Sequence, residues 1–328
     1  MKRILVTGAN GFVGKSLITS LIKNDYAVTA ACRHGKESLT PGQNINYVHF
    51  ELGKPDEDYD LSLKDVDVVV HLAARVHFDD SKSANKKKHY YETNVLGTKL
   101  LAEAAAKKNV KRFIFLSTIK VNGETNSVDS KNEPIAFEED NVPEPEDLYA
   151  NSKLQAETEL REICKKSQME FVILRPALIY GPGVKANFLS LIKFVINGKF
   201  PFPLSSINNK RSFIYIGNLV DAILQCIESP NVKNKLYLLN DTNISVPDLI
   251  KQIAAYSHKK IFMFPFPVFI LKILFSLVGK RKLVSRLTDS LIIDNSKFIE
   301  DLKWCPPFTF DEGIKETLKW YDKETKTC

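Results

Sequence analysis

Tyr149 and Lys153 stand four residues apart in the run Leu148-Tyr149-Ala150-Asn151-Ser152-Lys153. On a helix, residues i and i+4 share a face. A free phenol has a pKa of about 10 and is almost wholly protonated at neutral pH. A cation one turn away favours the phenolate. The pair therefore suits moving a proton on and off an alcohol oxygen. Tyr-x-x-x-Lys occurs often by chance, and what precedes it here gives it meaning. The chain begins Ile4-Leu5-Val6-Thr7-Gly8-Ala9-Asn10-Gly11-Phe12-Val13-Gly14. An apolar strand runs into glycines, and Leu17, Ile18, Leu21 and Ile22 follow at helical spacing. Gly8, Gly11 and Gly14 permit a tight turn, close approach of backbone to a pyrophosphate, and close helix–strand packing. Asn10, Phe12 and Val13 complete that turn, and the helix N-terminus offers free N–H groups to phosphate.

Strand and helix patterns alternate around these residues. Strands are expected at Arg3–Thr7, Ala27–Ala31, Ile45–His49, Val66–Leu72, Arg112–Ser117 and Phe171–Arg175. Helices are expected at Val13–Lys23, Asn94–Lys108 and Leu148–Ser167. Continuous apolar runs such as Phe113-Ile114-Phe115-Leu116 suit strands buried on both faces. The expected fold class is α/β, a Rossmann doubly wound parallel sheet with a smaller mixed C-terminal domain. Ligands of such sheets bind beyond the strand carboxyl ends, where Thr7, Ala73, Ser117, Thr118 and Arg175 lie. The polar stretch Asn126–Glu146 reads as a long loop in the position of a lid. After Arg175, proline and glycine clusters break the chain into shorter pieces. The expected division is a dinucleotide domain at 1–175 and a substrate domain at 176–328. Phe213–Ile227 and Leu236–Asn240 are expected to return to the large domain.

Composition excludes several classes. The formal net charge is +7, but no basic block interleaved with aromatics occurs, so nucleic-acid binding is not indicated. Five cysteines at wide spacing, without CxxC, argue against a disulfide framework or a metal site and for a reducing, cytoplasmic setting. The apolar run Ile261–Val278 is cut by Pro265 and Pro267, leaving a helix too short to span a bilayer. It reads as a buried or half-buried helix, with peripheral membrane contact as the alternative.

These segments resemble the extended short-chain dehydrogenase/reductase family, the NAD-dependent epimerases, dehydratases and reductases of nucleotide sugars. The resemblance runs almost end to end. It includes His71-Leu72-Ala73-Ala74, Asn94–Thr98, Phe113–Gly123, Tyr149–Lys153, Arg175–Gly183 and Arg211–Asp221. It implies a catalytic set of Thr118, Tyr149 and Lys153, with Thr118 placed by Gly123 five residues on and Ser117 as the fallback. Thr118 and Tyr149 would hydrogen-bond the reacting sugar oxygen, and Lys153 the cofactor ribose. It implies cofactor contacts from the Gly8–Gly14 turn, Leu72, Ala73, Ala74, Asn94 and Pro176, with Glu51 or Leu52 near the adenine. It implies that Asn187 and Arg211 bind a substrate diphosphate, with Arg286 as a substitute for a phosphate-binding arginine segment absent here. A homodimer through the helices containing Asn94–Lys108 and Leu148–Ser167 is a further implication.

Two departures narrow the reaction. Family dehydratases follow the catalytic hydroxyl with an Asp-Glu pair; this chain has Ile119 and Lys120, so no carboxyl is positioned for loss of water. At the end of the second strand an acidic residue reads the ribose diol of NAD, whereas arginine tolerates a 2′-phosphate. That position is Cys32, followed by Arg33, which tilts the expectation toward NADP over NAD. The resulting expectation is redox at C4 of a UDP-N-acetylhexosamine-type sugar in surface-polysaccharide synthesis. A 4-keto-sugar reductase stands slightly ahead of a 4-epimerase. A steroid-like alcohol dehydrogenase and a non-catalytic dinucleotide sensor are the remoter alternatives.

Overall fold

The structure is a computed structural model that describes residues 1–33, 45–54, 59, 63–76, 85–198, 201–277, 279 and 281–327. Val278 and Lys280, which figure in the apolar segment and its basic flank, lie outside the described residues.

Seven strands form one all-parallel sheet. They are β1 (Arg3–Thr7), β2 (Ala27–Cys32), β3 (Ile45–His49), β4 (Val68–His71), β5 (Arg112–Leu116), β6 (Glu170–Pro176) and β9 (Lys235–Leu239), in the order β3-β2-β1-β4-β5-β6-β9. Chain direction across the sheet reverses between β1 and β4, which opens a crevice at their carboxyl ends. Period-two alternation divides each strand between two cores. Ile4, Val6, Val68, Val70, Ile114, Val172 and Leu174 face one core. Leu5, Val69, Phe113, Phe115, Phe171 and Ile173 face the other.

The first core takes helix α1 (Phe12–Lys23). The second takes two neighbours. One is a helical stretch made of α2 (Lys86–Tyr90), a wider π-turn segment Tyr91–Leu96, and α3 (Gly97–Lys107). The other is α4 (Leu148–Lys165). The wide segment overlaps the start of the expected helix Asn94–Lys108 and carries Asn94.

Beyond β6 come β7 (Leu178–Tyr180), α5 (Ala186–Asn197), β8 (Arg211–Tyr215) and α6 (Ile216–Glu228). β10 (Thr242–Ile244) joins β8 and β7 in a small mixed sheet of order β10-β8-β7. The expected return segments are therefore divided. Buried side chains of α6 join those of α1 in the first core, and β9 completes the large sheet, but Phe213–Tyr215 belongs to the small sheet. The remaining helices are α7 (Val246–Tyr256), α8 (Val268–Leu277), α9 (Arg281–Thr288), α10 (Ser296–Leu302) and α11 (Phe310–Thr327).

Of the two expectations for the helix after Pro267, buried or half-buried, the structure shows the half-buried one: in α8 Leu271 is buried and Val268 and Phe275 pack against the first core, whereas Phe269, Ile273, Leu274 and Leu277 are exposed. The neighbours needed to cover every side of this helix are not supplied. No helix among the described residues is long and apolar enough to cross a membrane. The Asn126–Glu146 loop is pinned at several points. Asn126 exchanges side-chain hydrogen bonds with the backbone of Ile292, at 2.6 and 3.0 Å. The Phe137 N–H donates to the Ile292 carbonyl, and the Phe137 carbonyl accepts from the Asp294 N–H. The Glu144 N–H donates to the Val121 carbonyl. These bonds tie the loop to the Ile292–Asp294 segment and to the turn after β5.

Candidate active site

The glycine turn is built for close approach. Gly8 has φ +71°, and a Cβ there would lie 2.8 Å from the Ala73 backbone nitrogen at the end of β4. A Cβ on Gly14 would lie 2.2 Å from the Gly8 carbonyl oxygen, so only glycine lets α1 start this close to β1. Gly11 caps α1 in extended conformation with no side-chain hydrogen bond. The first-turn N–H groups of α1 therefore remain available to an anion, with the positive end of the helix dipole behind them. This cradle fits the pyrophosphate of a dinucleotide. Phe12 and Val13 open the helix, and Asn10 hydrogen-bonds the Cys32 thiol.

A buried hydrogen-bond chain fixes the wall opposite that turn. Thr98 Oγ1 donates to the Asn94 carbonyl at 2.6 Å, so it accepts from His71 Nε2–H at 3.0 Å. His71 Nδ1 is then the acceptor, and the Thr7 hydroxyl donates to it at 2.6 Å. Thr7 Oγ1 in turn accepts from the Ala73 N–H at 3.3 Å. Burial, helped by the Lys153 charge, holds His71 well below the ordinary imidazole pKa, consistent with the neutral tautomer that this chain requires. The chain sets the Leu72-Ala73-Ala74 backbone against the glycine turn. Asn94, 1% exposed, clamps Arg75 N–H and C=O with its amide and donates to Ser152 Oγ at 2.9 Å, tying this wall to α4.

Asp147 caps α4 by accepting from the Ala150 N–H at 2.7 Å, which sets the start of the helix just before Tyr149. Lys153 is 1% exposed, with its ammonium 3.9 Å from the centroid of the Phe115 ring. Burial pushes Lys153 down to about 7, against the opposing pull of Glu157. Burial, then the charges of Asp147 and Tyr90, push the Tyr149 phenol above its ordinary value. The expected depression of the phenol by Lys153 is thus not supplied by the protein groups. A lysine with a pKa of about 7 is only partly charged at neutral pH, and desolvation of Tyr149 outweighs it.

The two hydroxyls at the end of β5 separate cleanly. Ser117 is buried and donates to Glu157 Oε1. Arg175 Nε donates to the same oxygen at 2.9 Å, Nη2 donates to Oε2, and Nη1 donates to Asn122 Oδ1 at 2.8 Å. The pair's side chains are 4% and 2% exposed. Ser117 therefore belongs to a buried ionic network beneath α4. The next residue, Thr118, is half-buried and accepts only a long bond, 3.4 Å, from the Lys120 N–H. Where a dehydratase would need carboxyls, Ile119 is buried and Lys120 donates to Glu124 at 2.7 Å and to Asp147 at 2.8 Å. That lysine is thus ion-paired with two carboxylates at once.

Beyond the end of β2, Arg33 is exposed and adds to the charges that hold the Glu51 carboxyl low, behind the Lys54 hydrogen bond. Leu52 packs against Gly97, where a Cβ would meet it at 2.8 Å. Pro176 ends β6 in register with Leu239. Arg211 donates to the Asp289 carbonyl at 3.1 Å. Burial, then the Arg286 charge, brings Arg211 down to about 10. Asn187 is exposed in the first turn of α5, beside Ala186 with φ +52°. Sequence reasoning assigned no role to His71, Thr98, Asn122 or Glu157. The i,i+4 spacing of Lys153 and Glu157 on one helix face is the one sequence signal that could have found any of them.

Residues 4–240 match the model of the NAD dependent epimerase/dehydratase family. A UDP-glucose 4-epimerase of Vibrio cholerae is 43% identical over 323 residues, covering 97% of this chain and 95% of that protein. An N-acetyl-alpha-D-glucosaminyl-diphospho-ditrans,octacis-undecaprenol 4-epimerase of Escherichia coli O157:H7 is 28% identical, covering 97% and 94%. The crystal structure of a UDP-glucuronic acid 4-epimerase from Bacillus cereus in complex with NAD superposes with a TM-score of 0.78. It is 22% identical over 98% of this chain and 99% of that one.

Proposed function

Because this chain belongs to the NAD-dependent epimerase/dehydratase family, we propose that it inverts the configuration at C4 of a UDP-hexose or UDP-N-acetylhexosamine, keeping NAD in place through the cycle. The reading rests on Thr118 just beyond the carboxyl end of β5 and on Tyr149 and Lys153 one turn apart on α4, with Lys120 ion-paired to Glu124 and Asp147. The 43% identity to a curated 4-epimerase supports it and moves the 4-keto-sugar reductase to second place.

An NAD held in the Gly8–Gly14 cradle would supply the acceptor for the C4 hydride and the donor that restores it to the other face of the sugar. Tyr149, as the phenolate that the cationic ring of a bound oxidised cofactor would favour, accepts the C4 hydroxyl proton as the carbonyl forms and gives it back as the alcohol is restored. Thr118 hydrogen-bonds the same oxygen and fixes its direction. Lys153 holds the cofactor ribose, while Leu72, Ala73, Ala74, Asn94 and Pro176 shape the wall on which the cofactor rests. Glu51 and Leu52 border the adenine. Arg211, Arg286 and Asn187 hold the diphosphate, so the intermediate can turn without leaving. The same family likeness supports a homodimer through α3 and α4, checked by light scattering.

The second reading, a reductase that uses NADPH afresh each turnover, is favoured by one observation. Cys32 replaces the carboxylate at the end of β2 and an exposed Arg33 follows. The test is proton NMR of UDP-glucose or UDP-N-acetylglucosamine incubated with the purified protein and no added cofactor. Appearance of the 4-epimer supports the proposal. Turnover that occurs only with a 4-keto sugar and NADPH overturns it in favour of the reductase.

A further inference from the structure

From Ser257 to Thr288 the chain carries seven Lys or Arg residues and no Asp or Glu. Within that stretch six large apolar side chains stand exposed: Phe262, Phe269, Ile273, Leu274, Leu277 and Leu283. Leu277 is 79% exposed and Phe269 65%. An isolated exposed leucine is ordinary, but a concentration of this kind marks a contact surface. Helix α8 spans 10 residues, or about 15 Å at 1.5 Å per residue, roughly half a bilayer core. It can lie in an interface and cannot cross one. Lys259, Lys260 and Arg281 are exposed, and among the described residues none of them has an ion-pair partner.

We propose that α8 and the adjoining turn into α9 dock this protein on an anionic lipid bilayer, with Phe269, Ile273, Leu274 and Leu277 entering the acyl boundary and Lys259, Lys260 and Arg281 meeting lipid phosphates. Charge decides the occupant. A second copy of the chain would set one uncompensated cationic stretch against another, whereas an anionic surface satisfies the apolar and the basic groups together. The surface adjoins the diphosphate cations. Lys272 on α8 is paired with Asp289 at 2.8 Å, and the Asp289 carbonyl receives the Arg211 bond. Docking thus places the substrate end of the crevice next to the membrane. The proposal goes beyond the C4 chemistry and does not depend on it.

The test is flotation of the full chain with vesicles of three parts phosphatidylcholine to one part phosphatidylglycerol, and with phosphatidylcholine alone. Binding is expected to the anionic vesicles and to weaken as salt is raised. The double variant Phe269→Glu/Leu277→Glu is expected to lose at least about tenfold in vesicle affinity, since each buried side chain is worth about that factor or more. Both positions are solvent-facing, so folding and turnover of soluble UDP-sugar are expected to persist. The same change at exposed Val142, in the pinned loop, is expected to leave binding intact. Absence of vesicle binding overturns the proposal. So does equal binding by the double variant. A dimer seen by light scattering that the double variant dissolves, without vesicle binding, assigns the surface to a second copy and also overturns it.

Discussion

Replacing Glu157 by glutamine removes one charge and almost no volume. The native carboxylate accepts from Ser117, from Arg175 Nε and from Arg175 Nη2, and both side chains of the pair are almost fully enclosed. An amide keeps one oxygen as acceptor and turns the other position into a donor facing the Arg175 guanidinium. Arg175 then keeps its bond to Asn122 and at most one to the amide oxygen, and is left as a buried, uncompensated cation. Breaking a buried pair on one side costs about 3–5 kcal/mol. Against a typical net stability of about 5–15 kcal/mol, that is a loss visible in any denaturation curve. Urea unfolding followed by circular dichroism should show the midpoint fall with little change in slope. The double variant Glu157→Gln/Arg175→Met removes the orphaned cation and should recover part of the loss. A single-variant loss below about 1 kcal/mol would refute the assignment of this pair as a buried, mutually dependent support for α4 and the end of β5.

Three further outcomes follow from the same geometry. Thr118→Val should lower kcat by about 10- to 100-fold through loss of an oriented hydrogen bond at the reacting oxygen, while Ser117→Ala should cost about 1 kcal/mol of stability and leave kcat within a few-fold; steady-state kinetics beside urea melts separates them. Lys153 has a folded pKa of about 7, below its unfolded value of about 10.4, so the unfolded chain binds more protons between those values and stability should rise with pH across that window; Lys153→Met should flatten the rise in pH-resolved urea melts. Arg211→Met and Arg286→Met should each raise KM for a UDP-sugar about tenfold or more, from lost charge-assisted bonds to diphosphate of about 1.5–3 kcal/mol, with kcat changed less.

What could be read from the sequence was mostly local. The Gly8–Gly14 turn, the alternation of strands and helices, and the i,i+4 relation of Tyr149 and Lys153 each occupy one short stretch of chain whose geometry follows from residue type. The seventh strand was legible as the apolar run Leu236–Asn240, and the structure adds Lys235 and ends it at Leu239. What was missed depends on pairs brought together only by folding. His71 acquires its role from Thr7 and Thr98, which lie 64 and 27 residues away. Thr118 was preferred to Ser117 by resemblance alone; the partner that occupies Ser117, Glu157, lies 40 residues from it. The phenol's acidity was argued from its one cationic neighbour, whereas burial acts on Tyr149 and Lys153 alike and opposes the charged form of each. For α8, apolar composition showed that the side chains avoid water but not what would cover them.

The central claim is that this chain turns a diphosphate sugar over at C4 with its own retained NAD. The most direct measurement is the nucleotide released by denaturing freshly purified protein, paired with NMR of a UDP-hexose incubated with the same preparation. The account predicts stoichiometric NAD and growth of the 4-epimer without added cofactor, with Tyr149→Phe keeping the NAD and losing turnover. Protein that releases no dinucleotide, leaves UDP-hexoses unchanged, and binds NADPH in preference to NADH would contradict it.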